Sequence, residues 1–263
     1  MKIKQMPTIL YSSPVFGPVK SRRLGISLGV NLMPPDGKLC SFDCIYCECG
    51  FNADRRPTLP RPSREEVREA LRSKLEEMLA EEALPDVITF AGNGEPTLHP
   101  EFALIIDDTI ALRDEFCPKA KVSVLSNATT VMRQGVRDAL MRVDNNIQKL
   151  DTVNEEYIRR VDRPSGRYDV KGIIDSLKKF EGHVIIQTMF LRGTFEGKDV
   201  CNTSEAFVMP WLDAVREICP EQVMIYTIDR ETPTAGLMKA TKVELDGIAR
   251  EVEKAGLKVS VSY

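Results

Sequence analysis

The sequence predicts an α/β protein built on a parallel sheet with crossover helices, and three observations predict it. Short apolar, β-branched runs alternate with amphipathic helical runs. The alternation recurs often enough to count six βα units. A cysteine-rich loop follows the first strand directly, at the carboxyl end where α/β sheets and barrels build their sites. In order, the candidate strands are "LGISLGVNL" (24–32), "DVITFAG" (86–92), "AKVSVLSN" (120–127), "NIQKLD" (146–151), "HVIIQTMF" (183–190) and "QVMIYTID" (222–229). Helices are expected near 63–82, 100–116, 131–142, 169–181 and 204–218, with a last one near 241–255 before the terminal "KVSVSY".

Punctuation between these runs supports the order. Ser63 precedes "REEVREALRSKLEEMLAEE", in which Val67, Leu71, Leu75, Met78 and Leu79 recur at three- and four-residue steps. Glu66, three residues after Ser63, completes a capping box. "FCPKAKVSV" and "ICPEQVMIY" each place Cys-Pro between a helix and a strand, where proline ends the helical hydrogen-bond ladder. Cys117 and Cys219 therefore read as small buried apolar residues at helix ends. No Gly/Ser linker or low-complexity tract divides the chain, so residues 1–263 read as one domain, with a cysteine loop at 39–50 and the βα units over about 24–255.

Composition narrows the class. With 263 residues, 43% hydrophobic, 29% charged and a formal net charge of −3, the chain resembles an ordinary globular protein, without the charge bias of a dedicated nucleic-acid or membrane binder. The opening "MKIKQMPTILYSSP" has no apolar run leading to a small-residue cleavage site. No apolar stretch approaches the roughly 20 residues of a membrane span, so a cytoplasmic location is expected, with no membrane partner. A reducing compartment and an odd number of cysteines, seven, argue against structural disulfides.

That leaves the loop "LCSFDCIYCECG" (39–50) to be explained by metal chemistry. Cys40, Cys44 and Cys47 are separated by three and then two residues, and Cys49 follows after one more. Zinc prefers two separate ligand pairs closing a tetrahedron, and Cys49 would complete such a set only by crowding the other three. Three thiolates on a short loop also suit one face of an iron–sulfur cube, leaving one iron open to another ligand. "CSFDCIYC" resembles the CxxxCx(aromatic)C cluster motif of the radical S-adenosylmethionine superfamily, with Tyr46 in the aromatic place. The resemblance implies a 4Fe-4S cluster and S-adenosyl-L-methionine as cofactors. It also implies reductive formation of a 5′-deoxyadenosyl radical that abstracts hydrogen from a substrate, and an electron donor such as flavodoxin or ferredoxin.

Further stretches carry the same resemblance. "AGNGEP" is similar to the glycine-glycine-glutamate motif that contacts the cosubstrate's amino group, with Gly92, Gly94 and Glu95 in place and Asn93 between the glycines. "LSNATT" puts Ser126 and Asn127 where the family holds the ribose or carboxylate, or where a turn and helix cap would stand. "KLDTVNEEYIRRVDRPSG" resembles a stretch common in the superfamily. It sets Asp151 at a strand mouth facing substrate or cosubstrate, with Lys149 on the same strand face to neutralise it. Gln187 and Met189 face the interior, as lining or as core. Covering nearly the whole chain, the resemblance implies a partial (β/α)6 TIM-like barrel with an N-terminal cluster-binding loop.

A narrower likeness bears on substrate. "VFGPVKSRRLGISLGVNLMPPDGKLCSFDCIYCECG" and "IYTIDRETPTAGLMKAT" resemble the radical enzymes related to the wyosine base synthases of tRNA, which implies a tRNA or other RNA base as substrate. Basic clusters agree: "KSRR" (20–23), then Arg55, Arg56, Arg61 and Arg64, then Arg159, Arg160, Arg163 and Arg167. Nearby Glu65, Glu66, Asp162 and Asp169 offset them as on solvated helix faces. A peptide or small metabolite would suit the same arginines, and a zinc-binding module without catalysis is the reading from another class. Cys49 and Cys201 have no structural role in this scheme. They are too few for a second full cluster, and Cys201, in the loop after the fifth strand, is expected to give hydrogen to a substrate radical or carry an intermediate.

Overall fold

The computed structural model describes residues 8–21 and 24–263. Arg22 and Arg23 of the "KSRR" run lie outside the described residues. The chain gathers into two compact units, each assembled from separated segments: Leu10–Ser41 with Arg55–Ile147, and Phe42–Asp54 with Gln148–Tyr263 and, among the described residues, 8–9.

In the first unit, β1 (Val15–Ser21) pairs antiparallel with β2 (Gly25–Val30), which runs parallel to β3 (Val87–Phe90) and β4 (Lys121–Ser126). All four residues of β3 are buried, as expected of a parallel strand covered on both faces. β1 was not expected. It carries Pro18, which suits only a strand edge, and most of its side chains are solvated. Helices α1 (Arg64–Ala80), α2 (Phe102–Phe116) and α3 (Gln134–Leu140) return the chain between strands. The capping box of α1 forms as expected: Glu66 N–H donates to Ser63 Oγ at 3.3 Å and Ser63 N–H to Glu66 Oε2 at 2.6 Å. Val67, Leu71, Leu75 and Met78 are buried, whereas Leu79 is 47% exposed, one step round the helix from the stripe that ends at Met78. α3 is shorter than expected, because turns that include Ala128 in the left-handed region occupy the residues before it.

β5 (Asn145–Lys149) begins in the first unit, where Asn145 Nδ2 donates to Ser123 Oγ at 2.7 Å. Just past its end in the second, Leu150 N–H donates to the carbonyl of Gln187 at 3.1 Å. The second unit continues with a single helical turn, α4 (Glu155–Tyr157). This runs into a wide π-type turn over Ile158–Asp162, which ends at Arg163 with φ 51°. α5 (Val170–Lys178), β6 (Ile185–Met189), β7 (Leu191–Phe195), β8 (Lys198–Asp199), α6 (Glu205–Ile218), β9 (Gln222–Tyr226), β10 (Leu237–Lys239), α7 (Lys242–Lys254) and β11 (Val259–Ser262) follow. β9 lies between β6 and β11, parallel to both.

β7, β8 and β10 form a small antiparallel sheet that the sequence reading missed. Its one local signal is Glu196-Gly197 between β7 and β8, with both residues at positive φ, as a tight hairpin requires.

The two Cys-Pro junctions are not equivalent. Cys117 is 3% exposed, as expected, but Cys219 is exposed. α6 ends with Cys219 in the left-handed conformation, φ 53°, whereas α2 ends at Cys117 with φ −146°. The left-handed cap turns the second thiol away from the packing that the first one keeps. Trp211 on α6 is fully buried, edge-on to Phe190 at 5.3 Å, and its Nε1 donates to the carbonyl of Leu150 at 2.9 Å.

Candidate active site

None of the seven cysteines forms a disulfide. The cysteine loop crosses the boundary between the units, Cys40 belonging to the first and Cys44, Tyr46 and Cys47 to the second, so each residue is described among its own neighbours.

In the first unit the residue before Cys40 is locked by backbone pairing. Leu39 N–H donates to the carbonyl of Asn93 at 2.9 Å, and Glu95 N–H donates to the carbonyl of Leu39 at 3.2 Å. Gly94, with φ 146°, lies so close that a Cβ would fall 1.9 Å from the Leu39 carbonyl oxygen. Gly92, with φ 129°, faces Asn31 in the same way. The close approach these glycines permit is therefore to the cysteine loop and to β2's exit. Asn93 is fully buried; its Nδ2 donates to the carbonyls of Tyr11 and Pro34, both at 2.9 Å, and its Oδ1 accepts from Tyr11 N–H at 2.8 Å. The side chain that stands between the glycines is thus a brace for the surrounding loops.

Glu95 is buried, and its carboxylate accepts from Asn127 N–H at 2.6 Å and from Thr97 Oγ1 at 2.5 Å. Burial pushes its pKa up against these bonds. Ser126 Oγ accepts from Ala128 N–H at 3.1 Å. Asn127 holds its own turn through Oδ1, which accepts from Thr129 N–H at 3.0 Å. Its Nδ2 reaches Ser41 Oγ at 2.9 Å and Cys40 Sγ at 3.5 Å. The end of β4 thereby delivers an amide donor to the first cysteine, at the position the sequence singled out.

In the second unit the loop is fastened to the π-type turn. Asp43 N–H donates to the carbonyl of Asp162 at 3.0 Å and Ile45 N–H to that of Val161 at 2.9 Å. Ile45 is fully buried in a cluster with Tyr157, Val161, Met189, Leu191 and Val200. A wide turn leaves carbonyls outside its own ladder, and here they receive the loop. Cys47 N–H bonds back to the carbonyl of Cys44 at 3.1 Å.

Beside Cys44 is a buried charge cluster. Lys149 Nζ donates to the Asp151 carboxylate and to Tyr46 Oη, and pairs with Asp162 Oδ1 at 2.7 Å; Tyr46 Oη donates to Asp151. Asp151 Oδ1 also accepts from Met189 N–H at 2.9 Å. Cys44 Sγ lies 3.8 Å from Asp162 Oδ1 as its donor. Burial opposes the Lys149 charge, but the two carboxylates outweigh it and hold the ammonium well above its ordinary range. Burial and the neighbouring Asp151 charge push Asp162 up, with Lys149 opposing them. Burial, then the Asp151 charge, also raises the Tyr46 phenol.

Sequence reading placed Asp162 among acids offsetting surface arginines. It is instead buried against Cys44, 118 residues away in the chain. Cys201 is half-buried, its N–H given to Asp199 Oδ1 at 2.9 Å and its Sγ 3.3 Å from Thr203 Oγ1. Cys49 is 3% exposed. Met189 lies in the core cluster, and Gln187 is buried on the same strand.

Among the described residues no three His, Cys, Asp or Glu side chains converge as ligands of a single ion. Thiolates on separate irons of a cube need no such convergence, and three unbridged cysteines on one short, backbone-anchored loop are the donor set a cluster takes. Among the described residues no helix is long and apolar enough to cross a membrane.

Comparison with known proteins agrees with the fold. A family model described as the Radical SAM superfamily matches residues 35–200, more than half of the chain. A UPF0026 protein of Helicobacter pylori is 31% identical over 243 residues, covering 90% of this chain and 71% of that protein. A protein of Brachyspira hyodysenteriae named GTPase Obg is 31% identical over 227 residues, 85% of this chain, and the chain spans 31% of that protein's length. Among solved structures, a radical SAM methyltransferase from Sphaerobacter thermophilus matches with TM-score 0.66 at 15% identity, over 90% of this chain and 66% of that one. Archaeal TYW1 matches with TM-score 0.54 at 13% identity, over 87% and 72%.

The chain belongs to the radical SAM superfamily. Its fold is the partial TIM-like barrel of that superfamily, and it is an enzyme of a class that uses a 4Fe-4S cluster and S-adenosylmethionine.

Proposed function

We propose that Cys40, Cys44 and Cys47 hold the cluster, that Gly92 to Glu95 with Ser126 and Asn127 seat S-adenosylmethionine, and that the substrate is an RNA base. The observation that carries the site is Asn127, whose amide reaches Cys40 while its backbone N–H is bonded to Glu95. Two stretches that sequence alone could only set side by side thus share one hydrogen-bonded group with the first cysteine.

Cys40, Cys44 and Cys47 would hold the cluster as thiolates, and with S-adenosylmethionine bound there it would supply radical chemistry for hydrogen abstraction from substrate. Gly94 and Asn93 keep Leu39, and with it Cys40, in register. The Glu95 carboxylate fixes the end of β4. Tyr46 and Asp151, joined by a hydrogen bond, form the corresponding support in the second unit. Cys201 is assigned as a hydrogen donor to a substrate radical. A flavodoxin or ferredoxin in the same cytoplasmic compartment serves as electron donor.

The substrate reading is supported by a groove of about 430 Å³ in the second unit, where Arg159 and Arg167 stand beside Glu155 and Asp169, and where Arg167 offers a partner to a phosphate. Several other arginines in the basic clusters are engaged within the protein: Arg64 with Asp108 at 2.6 Å, Arg160 with Glu156 at 2.5 Å, and Arg163 over the Phe51 ring. Arg159 itself pairs with the exposed Glu155 at 2.5 Å.

Anaerobic purification, iron and sulfide analysis, and chromatographic detection of 5′-deoxyadenosine after dithionite reduction test the assignment. Wild type is expected to carry iron and sulfide and to form 5′-deoxyadenosine, with both lost in Cys44→Ala. Added tRNA is expected to raise the yield and to bind with strong salt dependence, and Cys201→Ala to change the products. Zinc in place of iron, or an intact cluster giving no 5′-deoxyadenosine, overturns the cofactor assignment. No binding of tRNA and no stimulation by it turns the substrate toward a peptide or small metabolite.

A further inference from the structure

The charge cluster beside Cys44 is more than the pairing of one buried lysine with one buried acid. Lys149 bridges two carboxylates whose side chains are 1% and 3% exposed, and the second of them, Asp162, lies against the Cys44 sulfur. We infer that Lys149 and Asp162 set the reduction potential of the cluster held at Cys44, Lys149 raising it and Asp162 lowering it. This rests on the cluster assignment proposed above.

The charges give the direction. One ammonium faces two carboxylates, so the group carries a net negative charge before Cys44 becomes a thiolate, and that thiolate adds another. In a buried setting such charges act on one another far more strongly than in water. Adding one electron to an adjacent cluster is harder the more negative its surroundings, since net charge and the hydrogen bonds to sulfur are what fix such potentials. Lys149 is the positive group at this spot. It lies within reach of two residues of the cysteine loop, with its Nζ 5.8 Å from the Phe42 ring centre, 5.1 Å from that of Tyr46, and bonded to the Tyr46 hydroxyl.

The geometry also prevents relaxation. Asp162 ends the π-type turn whose Val161 and Asp162 carbonyls receive the loop's Ile45 and Asp43 N–H groups. Arg163 follows in the left-handed region, φ 51°, a conformation a non-glycine residue holds only when its surroundings impose it. Its guanidinium is pinned over Phe51 at 4.8 Å and pairs with Asp43 at 3.6 Å. The carboxylate is thus held at the sulfur by the same segment that anchors the loop. A pair needed only for packing would require one acid and no sulfur contact. Lys149 and Asp162 are positioning residues, acting on the reaction through Cys44.

The test is the midpoint potential of the reconstituted holoenzyme, read by electron paramagnetic resonance during an anaerobic redox titration, for wild type, Lys149→Met, Lys149→Arg and Asp162→Asn. Lys149→Met is expected to lower the reduced-to-oxidised ratio at a fixed solution potential about tenfold, which for a one-electron couple is about 59 mV. Asp162→Asn is expected to raise that ratio, and Lys149→Arg to leave it near wild type. Should Lys149→Met fail to hold iron, the near-isosteric Asp162→Asn decides by the same reading. Iron-loaded variants with the wild-type midpoint overturn this inference and leave the cluster assignment standing. A wild type that holds no cluster overturns both.

Discussion

Gly94 shows how far a single residue governs the site. A Cβ at this position would lie 1.9 Å from the Leu39 carbonyl oxygen, and that carbonyl is held by the hydrogen bond from Glu95 N–H. Gly94→Ala is therefore expected to cost roughly 3 kcal/mol through overpacking and to lower iron incorporation by displacing Cys40. Gly135, in α3, would meet nothing beyond its own helix backbone and chain neighbours within 4 Å of a Cβ, so Gly135→Ala is expected to stabilise by about 0.5–1 kcal/mol. Denaturant midpoints and iron per chain for the two variants check both statements. The importance of this glycine was legible in the sequence, since "AGNGEP" and "CSFDCIYC" carry recognisable spacing, but its neighbour was not. Spacing identifies which residues belong to a site and leaves open which atom each one touches. Asp162 is the clearest case: among Arg159, Arg160 and Arg163 it reads as one more solvated acid, and only the long-range packing of its turn against the cysteine loop shows otherwise.

α7 opens with the second capping box, in which Glu244 N–H donates to Thr241 Oγ1 at 3.2 Å and Thr241 N–H to Glu244 Oε2 at 2.7 Å. Glu244 also accepts from Thr203 Oγ1 at 2.8 Å, which ties this helix to the loop of Cys201. Thr241→Ala is expected to cost about 1 kcal/mol and to loosen that loop, measurable by calorimetry and by faster amide exchange at Cys201 and Asn202. Burial opposes ionisation of Glu244, but bonds from Thr241 and Thr203 outweigh it and lower its pKa below the ordinary 4.5. A depressed folded-state pKa contributes stability that is present above the ordinary value and is lost as pH falls through the folded one. The exchange protection of α7 should accordingly decline below about pH 4.5, and decline less in Glu244→Gln. Elements with caps and a clear period, such as α1 and α7, are legible because the physics that forms them is local. β7 is not: its Gly193 weakens any strand signal, and that glycine is required by Gly236, whose carbonyl oxygen would lie 2.1 Å from a Cβ there. β1 and β10 escape notice for a related reason, being mostly solvated pieces that depend on a partner strand.

The sequence shows no linker, yet the chain gathers into two units, and the two facts are compatible because the division follows no single cut. Each unit is assembled from segments that leave and return, with crossings near residues 9, 41, 54 and 147. Composition marks a boundary only where the chain passes it once. Because neither unit is one continuous stretch, we expect them to unfold in a single transition. The chain supplies its own means of checking this. Trp211 is the sole tryptophan, sealed in the second unit with its indole N–H shared between the Leu150 carbonyl and Thr188 Oγ1. Its fluorescence therefore reports on that unit alone, whereas far-ultraviolet circular dichroism sums the helices of both. Coincident denaturation curves would establish one cooperative transition, and a dichroism change preceding the shift in emission would mean that the first unit melts on its own. A buried indole beside Phe190 thus makes the protein's intrinsic light a one-sided witness, able to tell which half of the molecule lets go first.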